Sequence, residues 1–178
     1  VTLASLEREV LKDEVFFRAS GGGVTLSGGE VLMQAEFATR FLQRLKQWGI
    51  RTAIETAGDT SPRRLLPLAQ ACDEVLFDLK IMDCAQARQV LSMNQPRVLE
   101  NFRLLVAEGI KVIPRLPLIP GYTLSTENVA QILAFLAPLP VEEVHLLPFH
   151  QYGERKYSLL AREWGMAGIK APEAEEIA

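Results

Sequence analysis

Ser27-Gly28-Gly29-Glu30, directly after the apolar run Val24-Thr25-Leu26, sets a carboxylate behind two glycines. Glycines at the end of a β run let the backbone bend sharply and approach a ligand closely. If that run is a strand of an α/β protein, the acid stands at the strand's C-terminal mouth, where such folds bind ligands. A carboxylate there suits an ammonium group or sugar hydroxyls better than a phosphate. The nearby Gly21-Gly22-Gly23 lacks the context of a phosphate cradle, since no Gly-Lys-Ser/Thr follows and the dinucleotide spacing is absent. The same residues also fit a tight βα turn that ends in a solvated glutamate.

Further polar residues fall in comparable places. Glu55-Thr56, Asp78, Lys80, Arg115 and His150 each lie within or just past the end of an apolar, strand-like run. Side chains gathered at that rim build the active site of a βα barrel. Asp78 and Lys80 are two apart on one strand and therefore share a face. Burying either unpaired costs several kcal/mol, so they should meet each other or a charged ligand. A purely structural Asp–Lys pair satisfies the same demand. Glu55 also fits a strand-end carboxylate in water, and His150 a satisfied loop histidine. His145 has the weaker claim, because it comes earlier in its strand. One charged group at nearly every consecutive strand end is more than sheet packing needs.

The elements that must position these groups alternate along the chain. Strand-like runs occur at Val24–Ser27, Thr52–Glu55, Glu74–Leu79, Lys111–Leu118 and Glu143–Leu147. Between them lie helical patterns. Ala38, Phe41, Leu42, Leu45 and Trp48 recur at helical spacing before a stop at Gly49. Ser61-Pro62 suits a cap and first turn for a helix through Gln70. Val98, Phe102, Leu105 and Val106 form another apolar face, closed by Gly109, and Ser125 or Thr126 can open a helix to about Ala137. Each strand-plus-helix unit is about 25–35 residues, the repeat of a parallel sheet. The strands read as apolar on both faces, as a sheet covered by helices requires. The fold class expected is α/β, with residues 1–178 forming one domain.

Composition narrows the function classes. The chain has 178 residues, 48% of them hydrophobic, and a net charge of −3. That is enough to bury one substantial core. The charge and the lack of a basic run speak against nucleic acid as the main partner. No apolar stretch approaches the roughly 20 residues that span a bilayer, and the N-terminus does not resemble a signal peptide. No membrane partner and a cytoplasmic location are expected. Cys72 and Cys84, twelve positions apart, are too few for a disulfide framework or metal knuckle and read as small apolar residues. The chain starts at Val1 and ends in the acidic, helix-like stretch Pro172 to Ala178, which suggests a piece of something longer.

Five blocks then occur in order: Ser20-Gly-Gly-Gly-Val-Thr-Leu-Ser-Gly-Gly-Glu30, Ile54-Glu-Thr-Ala-Gly58, Val75-Leu-Phe-Asp-Leu-Lys80, Arg115-Leu-Pro-Leu-Ile-Pro-Gly121 and Leu146-Leu-Pro-Phe-His-Gln-Tyr-Gly153. From about Lys12 to Lys170 the chain resembles the activating enzymes of glycyl-radical enzymes. These are radical S-adenosylmethionine proteins, typified by pyruvate formate-lyase activating enzyme. The resemblance implies a partial (β/α)6 TIM-like barrel, of which this chain would hold strands two to six. It implies that Gly28, Gly29 and Glu30 hold the methionine amino group of S-adenosylmethionine, and that Lys80 and His150 contact its carboxylate or adenosine part. Glu55, Thr56 and Asp78 match a site where some members hold a monovalent cation, for which hard oxygen ligands are suited. Glu55 stands where the family more often has Asp. Arg115 matches a rim arginine near the path of the target peptide.

Two departures are visible. Val31 follows Glu30 where the family usually has proline, so the turn loses a fixed φ but can still form. The family also holds a [4Fe–4S] cluster through Cys-x3-Cys-x2-Cys, and such clusters need thiolates that Cys72 and Cys84 do not supply. The cluster loop and first strand are expected upstream of Val1, which would leave Val24–Ser27 at an open sheet edge. The activity implied is reductive cleavage of S-adenosylmethionine to a 5′-deoxyadenosyl radical, which takes a hydrogen atom from a backbone glycine of a partner enzyme. The electron would come from a donor such as flavodoxin or ferredoxin, and this piece alone would be inactive. A radical enzyme acting on a small molecule, or a non-redox barrel using Lys80 as a Schiff-base amine, are the other readings.

Overall fold

Parallel strands joined by helices run through the computed structural model, which describes residues 1–177. Helices α1 (Leu3–Val10) and α2 (Glu14–Ser20) precede β1 (Gly23–Leu26). A 3-10 turn (Val31–Gln34) and α3 (Ala35–Gln47) lead to β2 (Arg51–Thr56), then α4 (Pro62–Gln70) and β3 (Glu74–Asp78). After α5 (Cys84–Leu91) and α6 (Gln95–Ala107) come β4 (Val112–Leu118), α7 (Thr126–Leu136) and β5 (His145–Pro148). Helices α8 (Glu154–Leu159) and α9 (Ala174–Ile177) follow. Of the acidic stretch expected to be helical, α9 is helical and Ala178 lies outside the described residues.

Local chemistry accounts for the boundaries. Ser61 is extended and Pro62 takes the first helical position of α4. The Ser125 hydroxyl accepts the Asn128 N–H at 3.2 Å and so caps α7. Gly49 and Gly109, with φ of +68° and +71°, end the segments after α3 and α6.

The five strands lie in sequence order, all parallel, each paired with the next. A doubly wound sheet reverses its strand order at a switch point. This one does not, and it curls into a half-barrel with helices on its outer side. The register sets Asp78 directly opposite Arg115, and Arg115 opposite His145.

The two faces differ in charge, which qualifies the expectation of strands apolar on both sides. Ile54, Val75, Phe77, Val112, Leu116 and Leu118 pack outward into one core with Leu42, Leu65, Leu68, Phe102, Leu105 and Ile132. The alternate positions on the strands carry Arg51, Glu55, Glu74, Asp78, Arg115 and His145, with the apolar Ala53, Leu76 and Ile113 between them, and these share the concave face. Helices α3, α4, α6 and α7 cover the convex side. The charged groups of the strands are gathered on the concave side.

The segment before β1 was not assigned to helices from the sequence. Leu3, Leu6, Val10, Leu11 and Phe17 pack there with Phe41, Leu45 and Ile50, together with Val24 and Leu26. Among the described residues β1 pairs on one side only, so its far edge is open, while its convex face is covered by this N-terminal segment. Cys84 also departs from expectation. It is exposed at the start of α5, whereas Cys72 is buried.

Candidate functional site

The glycine loop turns as its composition requires. Gly28 has φ of +129°, a conformation that excludes most side chains, and Glu30 follows in an extended conformation. Gly23 has a different role. A Cβ there would lie 1.9 Å from the Arg51 carbonyl oxygen, so glycine permits close approach of β1 to β2. Gly23 thus serves sheet pairing, and Gly21, with φ of +67°, ends α2.

Glu30 reaches across the C-terminal end of β2. Its Oε1 accepts the Thr56 hydroxyl at 2.7 Å and the Leu32 N–H at 3.2 Å, and its Oε2 accepts the Ala57 N–H at 3.1 Å. Thr56 is buried, and its hydroxyl also accepts the Gly58 N–H at 2.9 Å.

On the concave face the charges form a chain. Arg115 donates through Nη1 to Glu55 Oε1 at 2.7 Å, and through Nε and Nη2 to Asp78 Oδ1 at 2.9 and 2.8 Å. Ser27 donates its hydroxyl to Glu55, and Lys80 Nζ stands 3.6 Å from Asp78 Oδ2. Burial pushes the Glu55 carboxyl up, but the hydrogen bonds from Ser27 and Arg115 and the Arg115 charge outweigh it and hold the group below its usual range. Burial likewise disfavours the Arg115 charge, and Asp78 and Glu55 overcome it. The expected Asp78–Lys80 meeting is present, yet Arg115 is the closer partner of Asp78.

Glu55, Thr56 and Asp78 do not converge as side-chain ligands. Glu55 and Thr56 are neighbours on a strand and point to opposite faces. The Arg115 guanidinium stands between the two carboxylates, and the Thr56 hydroxyl is turned to Glu30. Among the described residues no group of three or more His, Cys, Asp or Glu side chains could hold a metal ion. Both acids of the expected cation site are instead paired here with the Arg115 guanidinium.

His150 lies just past β5 and is exposed. Its Nδ1 accepts the Tyr152 N–H at 3.3 Å, and its ring packs on Tyr152 with centroids 4.4 Å apart. That bond uses the Nδ1 lone pair, so in the neutral ring Nε2 carries the hydrogen. His145 begins β5, away from this rim, and pairs with Glu143 at 3.8 Å. Glu30, Lys80 and His150 all follow C-terminal strand ends. One strand separates β1 from β3, which sets Glu30 and Lys80 about 10 Å apart laterally.

Two buried asparagines hold this rim and were not singled out from the sequence. Asn101 donates to the carbonyls of Gly58 and Thr60 at 2.7 and 2.8 Å. Asn128 donates to the Lys80 carbonyl at 2.8 Å and accepts the Met82 N–H at 2.8 Å. Each stands among buried apolar residues of its helix, beside Val98 and Phe102 or beside Ile132, and that placement is the signal that could have found them.

The match to known proteins decides the family. Residues 2–133 match the model described as "Radical SAM superfamily". The chain belongs to the radical SAM superfamily. It is 67% identical over its whole length to the pyruvate formate-lyase 2-activating enzyme of Escherichia coli, of which it covers 61%. Against the pyruvate formate-lyase 1-activating enzyme of the same organism it is 33% identical, covering 98% of this chain and 72% of that one. A solved domain of a pyruvate-formate lyase-activating enzyme from Bacteroides vulgatus superposes with a TM-score of 0.71 at 28% identity, covering 88% of each chain. This radical SAM chain thus spans about three-fifths of the first of these relatives. The family match leaves the Schiff-base reading of Lys80 without support.

Proposed function

We propose that this chain forms the ligand-binding floor of an activating enzyme for a glycyl-radical enzyme, and that the ligand is S-adenosylmethionine. The observation that carries the reading is the rim: a carboxylate, an ammonium and an imidazole just past the ends of alternate strands β1, β3 and β5, above a charged concave face. Glu30 takes the ligand ammonium, since Oε2 keeps an acceptor position. Gly28 and Gly29 let the backbone close on the ligand. Lys80, held loosely by Asp78, turns to the ligand carboxylate. His150 presents Nε2–H to a ribose oxygen or the adenine edge. Arg115 stays bound to Glu55 and Asp78 and offsets one of their two charges beneath the path of the target peptide.

When bound, S-adenosylmethionine supplies the one-electron chemistry that ends in loss of a hydrogen atom from a backbone glycine. The residues of this chain bind it, orient it and exclude water. They do not fit a [4Fe–4S] cluster. Cys72 is buried and its thiol is pushed up to about 12 by burial first and by Asp73 second, and Cys84 lies apart at the start of α5. Cluster ligands are assigned to other parts of the whole protein.

The partner in this reading is a glycyl-radical enzyme of the pyruvate formate-lyase type, with flavodoxin or ferredoxin as electron donor and the cytoplasm as the setting. The identity to activating enzymes supports the partner. The test is Glu30→Ala in the whole protein. Binding and cleavage of S-adenosylmethionine should both weaken, because the ammonium loses a charge-assisted partner. Unchanged binding would remove Glu30 from the site.

A further inference from the structure

Glu30 is more committed than a free ligand-binding acid. A carboxylate offers about four acceptor positions. The chain itself fills three of them, two on Oε1 from Leu32 and Thr56 and one on Oε2 from Ala57. A single position on Oε2 remains. Which position stays open depends on Thr56 and Ala57, at and just past the end of β2.

That segment is clamped from behind. Asn101, 1% exposed on α6, donates to both the Gly58 and Thr60 carbonyls. Asp59 accepts from Arg97 at 2.6 and 2.8 Å and from the Asn94 N–H at 3.1 Å. Gly58 has φ of +68°, and a Cβ there would come within 2.1 Å of the Phe77 ring. Its N–H fixes the Thr56 hydroxyl at 2.9 Å, which leaves the hydroxyl hydrogen for Glu30. The β1–β2 pairing runs from Gly23–Arg51 to Leu26–Ile54 and so ends before Thr56.

We propose that Thr56, with Asn101 behind it, is a positioning residue for recognition of the ligand ammonium. It holds Oε1 of Glu30 and thereby aims the one open lone pair of Oε2 at the ligand, without touching the ligand itself. The inference rests on the reading of Glu30 given above. It differs from the role as a cation ligand that the sequence resemblance implies for Thr56. A role confined to strand stability would weaken every ligand alike, whereas this role acts on the amino group alone.

The experiment compares two ligands on the whole protein, purified without oxygen. One is S-adenosylmethionine and the other its desamino analogue, with hydrogen in place of the amino group. Dissociation constants are measured by equilibrium dialysis for the wild type, Thr56→Val, Thr56→Ser and Glu30→Gln. Thr56→Val should weaken S-adenosylmethionine by about tenfold and leave the analogue within about twofold, the scale of one hydrogen bond to a charged group. Thr56→Ser, which keeps the hydroxyl, should restore the preference for the amino ligand. Thr56→Ala takes the place of Thr56→Val if the valine disturbs the strand. Equal weakening of both ligands, or of neither, overturns the inference. If Glu30→Gln keeps the preference for the amino ligand, the reading of Glu30 itself fails. If Glu30→Gln abolishes it and Thr56→Val does not, only the positioning role fails.

Discussion

Arg115→Gln is the most informative single change on the concave face, because it strips one guanidinium from two carboxylates at once. Arg115, Glu55 and Asp78 side chains are 13%, 28% and 17% exposed, with contacts of 2.7 and 2.8 Å. Opposite charges about 4 Å apart attract by about 4 kcal/mol at an effective dielectric of about 20, and desolvation offsets much of this. Breaking a fully buried pair costs about 3–5 kcal/mol, and an exposed pair contributes under about 1 kcal/mol. Partial exposure places this site between the two, at about 2–3 kcal/mol near pH 7. Lys80, 3.6 Å from Asp78, is left as the nearby counter-charge and serves one acid only.

The pH dependence follows from Glu55. Its carboxyl is lowered in the folded chain, so its contribution is fully present above the ordinary value of about 4.3 and fades as pH falls through the lowered one. In Arg115→Gln much of that lowering is gone while burial remains, so Glu55 takes up its proton more readily. The stability gap between wild type and variant should therefore be widest near pH 7 and shrink below about pH 4. Urea unfolding followed by circular dichroism at the two pH values reads both numbers. A gap under about 0.5 kcal/mol at pH 7, the level of an ordinary surface pair, would refute the argument. So would a gap that widens on acidification.

Thiol labelling without denaturant should modify Cys84 quickly and Cys72 only on unfolding, since one is exposed and the other is buried with its thiol raised to about 12; equal rates would contradict the packing beside Ala69. Gly58→Ala should cost about 3 kcal/mol or more in chemical unfolding, because positive φ and the Phe77 ring both oppose a Cβ, and a loss under about 1 kcal/mol would show that the segment after β2 can yield. Glu7→Gln should weaken the ion pair to Arg44 that joins α1 to α3, seen as faster amide exchange across Leu3–Val10 and little change in β3; unchanged exchange in α1 would mean that apolar packing alone holds it.

Much of the frame was legible because local signals agreed with the global fold. Ser61-Pro62, Ser125, Gly49 and Gly109 mark helix ends in the sequence and do so in the structure. The rim residues were legible because charge at consecutive strand ends has little use in packing. What escaped depends on contacts between distant segments. Arg115 meets Asp78 through sheet register, and Thr56 meets Glu30 across 26 positions of chain, neither of which is written locally. The helices before β1 were missed although Leu3, Leu6 and Val10 repeat at helical spacing, because their partners Phe41 and Leu45 belong to another element. The polar concave face was misread because Ala53, Leu76 and Ile113 interrupt its charged positions and make the strands look apolar throughout.

The central claim is that Glu30, Lys80 and His150 form one floor for S-adenosylmethionine. An oxygen-free crystal structure of the whole protein with that ligand tests it most directly. The ligand ammonium should lie within hydrogen-bond reach of Glu30 Oε2, with Lys80 turned from Asp78 toward the ligand carboxylate and His150 Nε2 at the ribose or adenine. A ligand seated away from the C-terminal strand ends, or one that leaves Lys80 on Asp78 and Glu30 without a contact, would contradict the account.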